Sequence, residues 1–498
     1  MMPWYTESNF RFQPWRPLAE LTHAFDSWLW PTHPVLMHAH QLVWVLAFFL
    51  AVWRLYRHFF TENSALIALA LIGLIFDGNM AQTHVWLAGR NTLISATFSV
   101  LCLLFYSRSQ RENSSKWYLL SILLFAIALF SSELALGTTA FLFSYVYFMQ
   151  KGTFKKFLNL IPFLLTSLIW IGAYKFGHQG VSGSDWYFDP ATEPREFVST
   201  LLYRFPKALF QQFFILPLEI FGKVHVGTLA WFIGLTTLLA LGFAFKNQFK
   251  SNTVKFLVAG SFLSIIPLCA GPGIPRVLLL LSVGIAPLVA SFMLSYLKGN
   301  ELNKGQRILV WIVLPIHVLG ALAPALTGYV LSSSDVINIQ TPARTLPVTS
   351  ADNGKQWVIL NSTDPMQAML YPLVRGGEFL SLPKNWYLSG AGLGEIDINK
   401  VSDHALEITS KTAFLASPAD YFVRKRATQF ELNQANRFDG MSVTALALTE
   451  DNRPEKVRFE FDRSLDEENT VLFICQKYKL TRISLKELGN NNRFNCSD

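Results

Sequence analysis

Apolar residues in this chain come in long unbroken blocks, and ten of them stand out, near 39–59, 64–83, 91–107, 117–131, 134–149, 156–176, 226–245, 254–271, 277–297 and 308–331. A helix needs about 20 mostly apolar residues to cross the ~30 Å hydrocarbon core of a bilayer. The pattern therefore predicts an α-helical polytopic membrane domain over 1–331 with about ten spans. The stretches 64–83, 117–131 and 134–149 are short enough for tilted or partly re-entrant pieces. Between the sixth and seventh blocks, 177–206 is rich in Gly, Pro and aromatics, and 205–222 is apolar but interrupted by Lys207, Pro217 and Glu219, which fits a surface-lying helix. From Ser332 onward the pattern changes. "QWVIL", "ALEIT", "SVTALAL", "KVRFEFD" and "NTVLFICQKY" are short, rich in Val, Ile, Phe and Thr, and separated by Asn, Asp and Gly, so 332–498 is predicted to be a mainly-β soluble domain of β-sandwich type.

Composition sharpens this division. Only 15% of the chain is charged and 51% is hydrophobic, against about 25% charged in soluble domains. Residues 1–331 carry 23 Lys/Arg and 13 Asp/Glu, whereas 332–498 carry 19 and 21. The basic excess thus belongs to the apolar part. There, alternate loops are basic: Arg54/Arg57, Arg108/Arg111/Lys116, Lys151/Lys155/Lys156, Lys246/Lys250/Lys255 and Lys298/Lys304/Arg307 put 14 positive charges on one side and leave nine on the other. Cytoplasmic loops retain positive charge. The basicity therefore reports orientation rather than nucleic-acid binding, and both termini fall on the non-cytoplasmic side. Residues 1–38 carry no signal-peptide pattern, which leads to the expectation of one more span upstream. Cys102 and Cys269 read as core packing, and Cys475 and Cys496 as a pair that could bridge in an oxidising compartment. No CxxC, HExxH, GxxxxGK[ST] or GxGxxG string occurs in suitable context, so no metal and no cofactor is expected.

Ionisable residues near span ends are costly and usually face a cavity or a partner. They gather on the outer side: Arg16, Asp26 and His38 before or at the first span, Asp77, Gln82, His84 and Arg90 after the second, Glu133 between the fourth and fifth, and Arg276 opening the ninth. Arginine's planar fork binds phosphate bidentately and stays ionised. Arg16, His38, Gln82, Arg90 and Arg276 are therefore the candidate substrate-binding residues for a ligand with a phosphate head and a lipid tail. Asp26, Asp77 and Glu133 are the candidate catalytic carboxylates. Each arginine taken singly also fits snorkelling to the interface, the aspartates also fit helix caps, and Glu133 also fits an ion pair with a neighbouring helix.

The strings "WRPL…AFDSWLWPTHPVLMHAHQLVW", "HVWLAGRNTLISATFSVLCLLFY", "SSELALGTTAFLFSYVYF" and "PRVLLLLSVGIAPLVA", in this order, resemble the GT-C superfamily of polytopic membrane glycosyltransferases, in particular the bacterial relatives of protein O-mannosyltransferases. Arg16-Pro17-Leu18 matches the family's RPL, and His38 its histidine, with Gln41 in the usual Asn place. Trp86, Leu87, Gly89 and Arg90 match W-[IL]-x-G-R, whereas Asp77 and Gln82 stand where His and Glu are usual. Ser132, Glu133 and Ala135 correspond to K-E-x-A without its Lys, and Arg276 through Gly284 is similar to R-x-L-x-x-x-S-x-G. The resemblance covers about 11–331 and implies a bacterial inner-membrane enzyme with a periplasmic C-terminal domain. Such an enzyme would transfer a sugar from a polyprenyl-phosphate donor to a periplasmic glycan, lipid or protein acceptor. The family's acidic residue ahead of RPL has no counterpart here, since Glu7 is the only acid upstream of Arg16. That departure keeps open a catalytically degenerate relative acting as a lipid-carrier-binding or assembly partner. A transporter would require inverted repeats and mid-membrane charges, which the sequence lacks.

Overall fold

The computed structural model describes residues 2–496 apart from 78–79, 81–82, 84–85, 215–231, 233, 237–238, 240–241, 244, 273–274, 300–303, 309–310, 312–338, 363–364, 379, 478 and 487–491. It is 56% helical and divides into two compact units. One comprises Phe12–Gly180 and Tyr187–Tyr329, and the other Met1–Arg11, Val181–Trp186 and Val330–Asp498.

The first unit is built of helices α1 (Pro17–Leu29), α2 (Pro34–Phe59), α3 (Ser64–Ile75), α4 (Arg90–Glu112), α5 (Ser115–Ser131), α6 (Gly137–Met149), α7 (Ile161–Phe176), α8 (Pro194–Phe214), α9 (Asn252–Leu268) and α10 (Leu279–Leu297). Their ends follow from local chemistry. Pro17 and Pro34 open α1 and α2 where a missing N–H is harmless. The Asn63 side chain caps α3 by accepting from the Leu66 N–H at 3.1 Å, and Asn113 closes α4 in a left-handed conformation at φ 48°. Helix α4 packs on α5 and α2, α9 on α6 and α10, and α10 on α3. Small residues permit the close approaches: a Cβ on Gly260 would lie 2.5 Å from the Phe141 ring, and one on Gly284 would lie 2.5 Å from the Leu257 carbonyl oxygen.

Four segments are long and apolar enough to cross a membrane: Pro34–Phe59, Leu87–Glu112, Phe154–Phe176 and Leu279–Leu297. Ser64–Ile75, Ser115–Ser131, Glu133–Met149 and Asn252–Leu268 are shorter apolar helices. Of the sequence's ten blocks, 308–331 lies almost wholly and 226–245 mostly outside the described residues. The segment expected to lie on the surface, 205–222, instead begins as the second half of α8 and continues beyond the described residues. The apolar windows of Pro34–Phe59 and Phe154–Phe176 are only 22% buried, whereas that of Leu87–Glu112 is 72% buried. Leucines and isoleucines such as Leu42, Leu46, Leu168 and Ile169 point outward, while Asn91, Thr92, Ser95, Thr97 and Ser99 of α4 point inward. Oil on the outside and hydroxyls within is the arrangement a lipid solvent favours. Basic residues at the ends of these helices rest on aromatic rings, Arg57 on Trp53 and Arg108 on Trp117.

The second unit is mainly β. Strands β1 (Gln356–Ile359), β2 (Asn385–Leu388), β3 (Ile396–Ser402), β4 (Ala405–Ser410), β5 (Ala435–Phe438), β6 (Met441–Leu448), β7 (Pro454–Phe461), β8 (Thr470–Gln476), β9 (Lys479–Ile483) and β10 (Asn492–Phe494) form two sheets. The six-stranded sheet has the order β10-β3-β4-β7-β6-β5 and is antiparallel throughout, and the four-stranded sheet has the order β9-β8-β1-β2. The region is mainly β as the sequence predicts, and its four-stranded sheet is mixed. Strands β8, β1 and β2 run parallel, with helix α11 (Pro365–Gly377) crossing between β1 and β2. The reason is visible in the burial. Val358, Leu472 and Ile474 join the core shared with the six-stranded sheet, whereas Trp357, Ile359, Trp386 and Phe473 pack with Ala368 and Tyr371 of α11. A sheet covered on both faces needs continuous apolar runs, and "QWVIL" and "TVLFIC" are such runs. A disulfide between Cys475, on β8, and Cys496, just past β10, ties one sheet to the other.

Candidate functional site

In the helical unit the polar side chains singled out from the sequence assemble around α1. Arg16 stands at its N-cap and Asp26 in its last turn, about 15 Å apart along the axis at 1.5 Å per residue. Each end holds an arginine–carboxylate pair.

The first pair is buried. Arg90 opens α4, so its guanidinium sits at the positive end of a helix dipole, an unfavourable place for a cation without a counter-ion. Asp26 provides one: Arg90 Nη1 lies 2.6 Å from Asp26 Oδ2, with the two side chains 0% and 2% exposed. The remaining donors are also engaged. Arg90 Nε donates to Gln41 Oε1 at 2.8 Å and Nη2 to the Met37 carbonyl at 3.1 Å, and Nη1 also reaches the Thr22 carbonyl at 3.3 Å. Gln41 in turn donates to the Thr83 carbonyl at 2.5 Å. His40 Nδ1–H donates to Asp26 Oδ1 at 2.5 Å while its Nε2 accepts from Trp44 Nε1–H at 3.2 Å. These two partners select the neutral tautomer protonated on Nδ1. Beside them, burial and the Arg90 charge hold the His23 imidazole below its ordinary value.

The second pair is accessible. Arg16 Nε donates to Glu133 Oε2 at 3.0 Å and Nη2 to Oε1 at 2.5 Å, a bidentate fork, with side chains 26% and 33% exposed. Glu133 lies in the 3-10 turn Glu133–Leu136 that leads into α6, capped by the Ser132 hydroxyl. Asn91, next to Arg90 in α4, presents its amide oxygen to Arg16 Nη1 at 3.2 Å while its amide nitrogen donates to the Ala88 carbonyl at 2.9 Å. The two pairs are thereby neighbours through residues 90 and 91. A run of aromatic rings starts at Trp15, next to Arg16: Trp15 packs on Phe130 and stacks on Trp170, which in turn contacts Tyr174. Two cations and two carboxylates leave the constellation without net charge.

The other expected residues separate from it. Asp77 is buried and accepts from Gln212 Nε2 at 3.2 Å, and Gln212 also meets Ser282 Oγ at 3.1 Å. This joins the end of α3 to α8 and α10. His38 is exposed on α2, and the network uses His40 instead. Two residues along a helix turn the side chain by about 200°, so only one of the two can face α1. Gln82 and His84 lie outside the described residues. Arg276 falls in the 3-10 turn Pro275–Leu278, and its side chain is likewise outside them. Arg90, expected to bind substrate, is instead enclosed and paired with Asp26, and Arg16 is paired with Glu133 while remaining part-exposed. Likewise Asp26 is placed as the counter-ion of Arg90 rather than as an exposed base. His40, Thr22 and Asn91 were missed. The available signal was Thr22 and Asp26 one turn apart on α1.

Among the described residues no group of three or more His, Cys, Asp or Glu is placed to hold a metal ion. No family model, no curated protein and no solved structure matches this chain.

Proposed function

We propose that the chain is a membrane glycosyltransferase of GT-C type that transfers a sugar from a polyprenyl-phosphate donor to a periplasmic acceptor. In this reading about ten spans lie in a bacterial inner membrane and the β-rich unit lies in the periplasm. The observation that carries it is the Arg16–Glu133 fork, solvent-reachable and next in the chain to Trp15, which stacks on Trp170. In the resting state the fork neutralises itself. Donor phosphate displaces the carboxylate from Arg16, because the monoanionic phosphodiester offers the guanidinium the same bidentate geometry. Glu133, released, then accepts the proton of the acceptor hydroxyl. The acceptor oxygen attacks the anomeric carbon, the carbon–oxygen bond to phosphate breaks, and the electron pair leaves with the polyprenyl phosphate, whose charge Arg16 balances. The aromatic rings suit the apolar face of a sugar. Arg90 and Asp26 hold α1 and α4 in register beneath the fork.

The test is transfer and binding of a labelled polyprenyl-phosphate sugar in membranes bearing the full chain. Glu133→Gln is expected to keep binding and reduce transfer at least 100-fold, the scale of a lost general base, while Arg16→Ala is expected to lose both. Binding without any transfer in the unsubstituted chain would favour the second reading, a carrier-binding partner motivated by the self-neutralised site. Unaltered transfer in both variants would remove the fork from the chemistry.

A further inference from the structure

A separate cavity lies in the β-rich unit. It has a volume of about 500 Å³ and is walled by Trp4, Trp386, Tyr387, Phe438, Leu382 and Met441, among others. A second hollow of about 250 Å³ shares Lys384, Asn385, Tyr387 and Asp439 with it and continues toward Gly440 and Arg463. Together they make an elongated cleft between β2, an edge strand of the four-stranded sheet, and the β5–β6 hairpin at the edge of the other.

We infer that this cleft binds a neutral oligosaccharide. Its walls and its polar groups belong to different chemistries, and a glycan needs both. Indole and phenyl surfaces accept the apolar C–H face of a pyranose. Lys384 and Asp439, for which no described residue supplies a side-chain partner, offer an ammonium donor and a carboxylate acceptor to hydroxyl groups. These groups stand on a fixed frame. Asn385 Nδ2 donates to Tyr387 Oη at 2.7 Å, and Tyr387 Oη donates to the Asp439 carbonyl at 3.0 Å. Gly440 takes φ +81° at this point, and a Cβ there would collide with the Tyr387 hydroxyl. Trp4 is held by its own Nε1–H on the Ser389 carbonyl at 3.0 Å. A lipid tail would strip water from Lys384, Asp439 and Asn385 without replacing their hydrogen bonds. A polar ligand with one apolar face does not. The charges lining the two hollows balance, Lys384 and Arg463 against Asp439 and Asp462, and give no preference for an ionic ligand, so the sugar is uncharged.

The inference does not rest on the glycosyltransferase reading. The full chain in nanodiscs is titrated against an immobilised panel of short neutral oligosaccharides, with extended peptides as the control panel. At least one oligosaccharide is expected to bind. Asp439→Asn, Lys384→Ala and Phe438→Ala, all at the cleft margin, are each expected to weaken that binding about tenfold, and Glu133→Gln to leave it unchanged. Binding of peptides alone, of no oligosaccharide at all, or retention of full affinity in all three cleft variants overturns the proposal. Loss of sugar transfer in Glu133→Gln with glycan binding intact separates the fate of this site from that of the membrane site.

Discussion

The two compact units solve opposite solvation problems. In the helical unit, leucines point outward from α2 and α7 while hydroxyls, amides and two arginine–carboxylate pairs sit inside or at its margin. In the β-rich unit, the aromatic and branched side chains fill two layers, and Glu407, itself buried, pairs with the more exposed Lys456 and Arg458. The contrast teaches that the same residue types carry different weight in each. An arginine inside the helical unit is structural because nothing but protein can satisfy it, whereas one on the sheet has water as a competitor.

The sharpest break of this comparison is Arg90→Ala. Removing one partner of a buried pair strands Asp26, at a cost of about 3–5 kcal/mol, so the helical unit is expected to lose folded protein in fluorescence-detected size exclusion, while Asp26→Asn with Arg90 retained is expected to do the same. The β-rich unit has its own large lever. Cys475→Ser opens the link between the sheets and is expected to cost about 3 kcal/mol, read as faster hydrogen exchange in β8 and β10 with α4 unaffected.

A smaller effect belongs to Gly440→Ala, where positive φ and the Tyr387 hydroxyl together are expected to cost about 1–3 kcal/mol, seen as a lower denaturation midpoint. Acid provides a graded test. Burial alone would raise the Glu407 carboxyl, but Lys456 and Arg458 hold it below the ordinary value. Its contribution is therefore present above the unfolded carboxylate value of about 4.3 and is lost as pH falls through the lower folded one. Exchange protection of β4 and β7 is expected to fall in that acidic window, and Glu407→Gln to flatten the fall. The smallest expected change is in stability on Arg16→Ala, within about 1 kcal/mol because the fork is part-exposed. A large loss there would make the two arginine pairs equivalent and erase the distinction between them.

Much of this was legible in the sequence. Long apolar blocks gave the helical segments that the structure describes, and the change to short Val/Ile/Phe/Thr runs after residue 332 marked the mainly-β region. Arg16, Glu133, Asp26 and Arg90 were visible as costly polar residues near helix ends. Their pairing was not. Arg16 and Glu133 are 117 residues apart and Arg90 and Asp26 are 64 apart, and nothing local says which carboxylate each arginine meets. The parallel strands beneath α11 escaped for a related reason, since a continuous apolar run reads alike in a sandwich core and in a two-sided sheet.

Hydropathy depends on each residue's own transfer energy, so the alternation of oily and wet segments is a property of the chain alone. Partnership depends on which helices and strands are brought within 3 Å of one another. Only the packing of α1 against α2 and α4 made His40, and not His38, the neighbour of Asp26 and left Arg16 reachable while enclosing Arg90, and only the meeting of β2 with the β5–β6 hairpin set Asp439 and Lys384 on a cavity lined by Trp4 and Trp386.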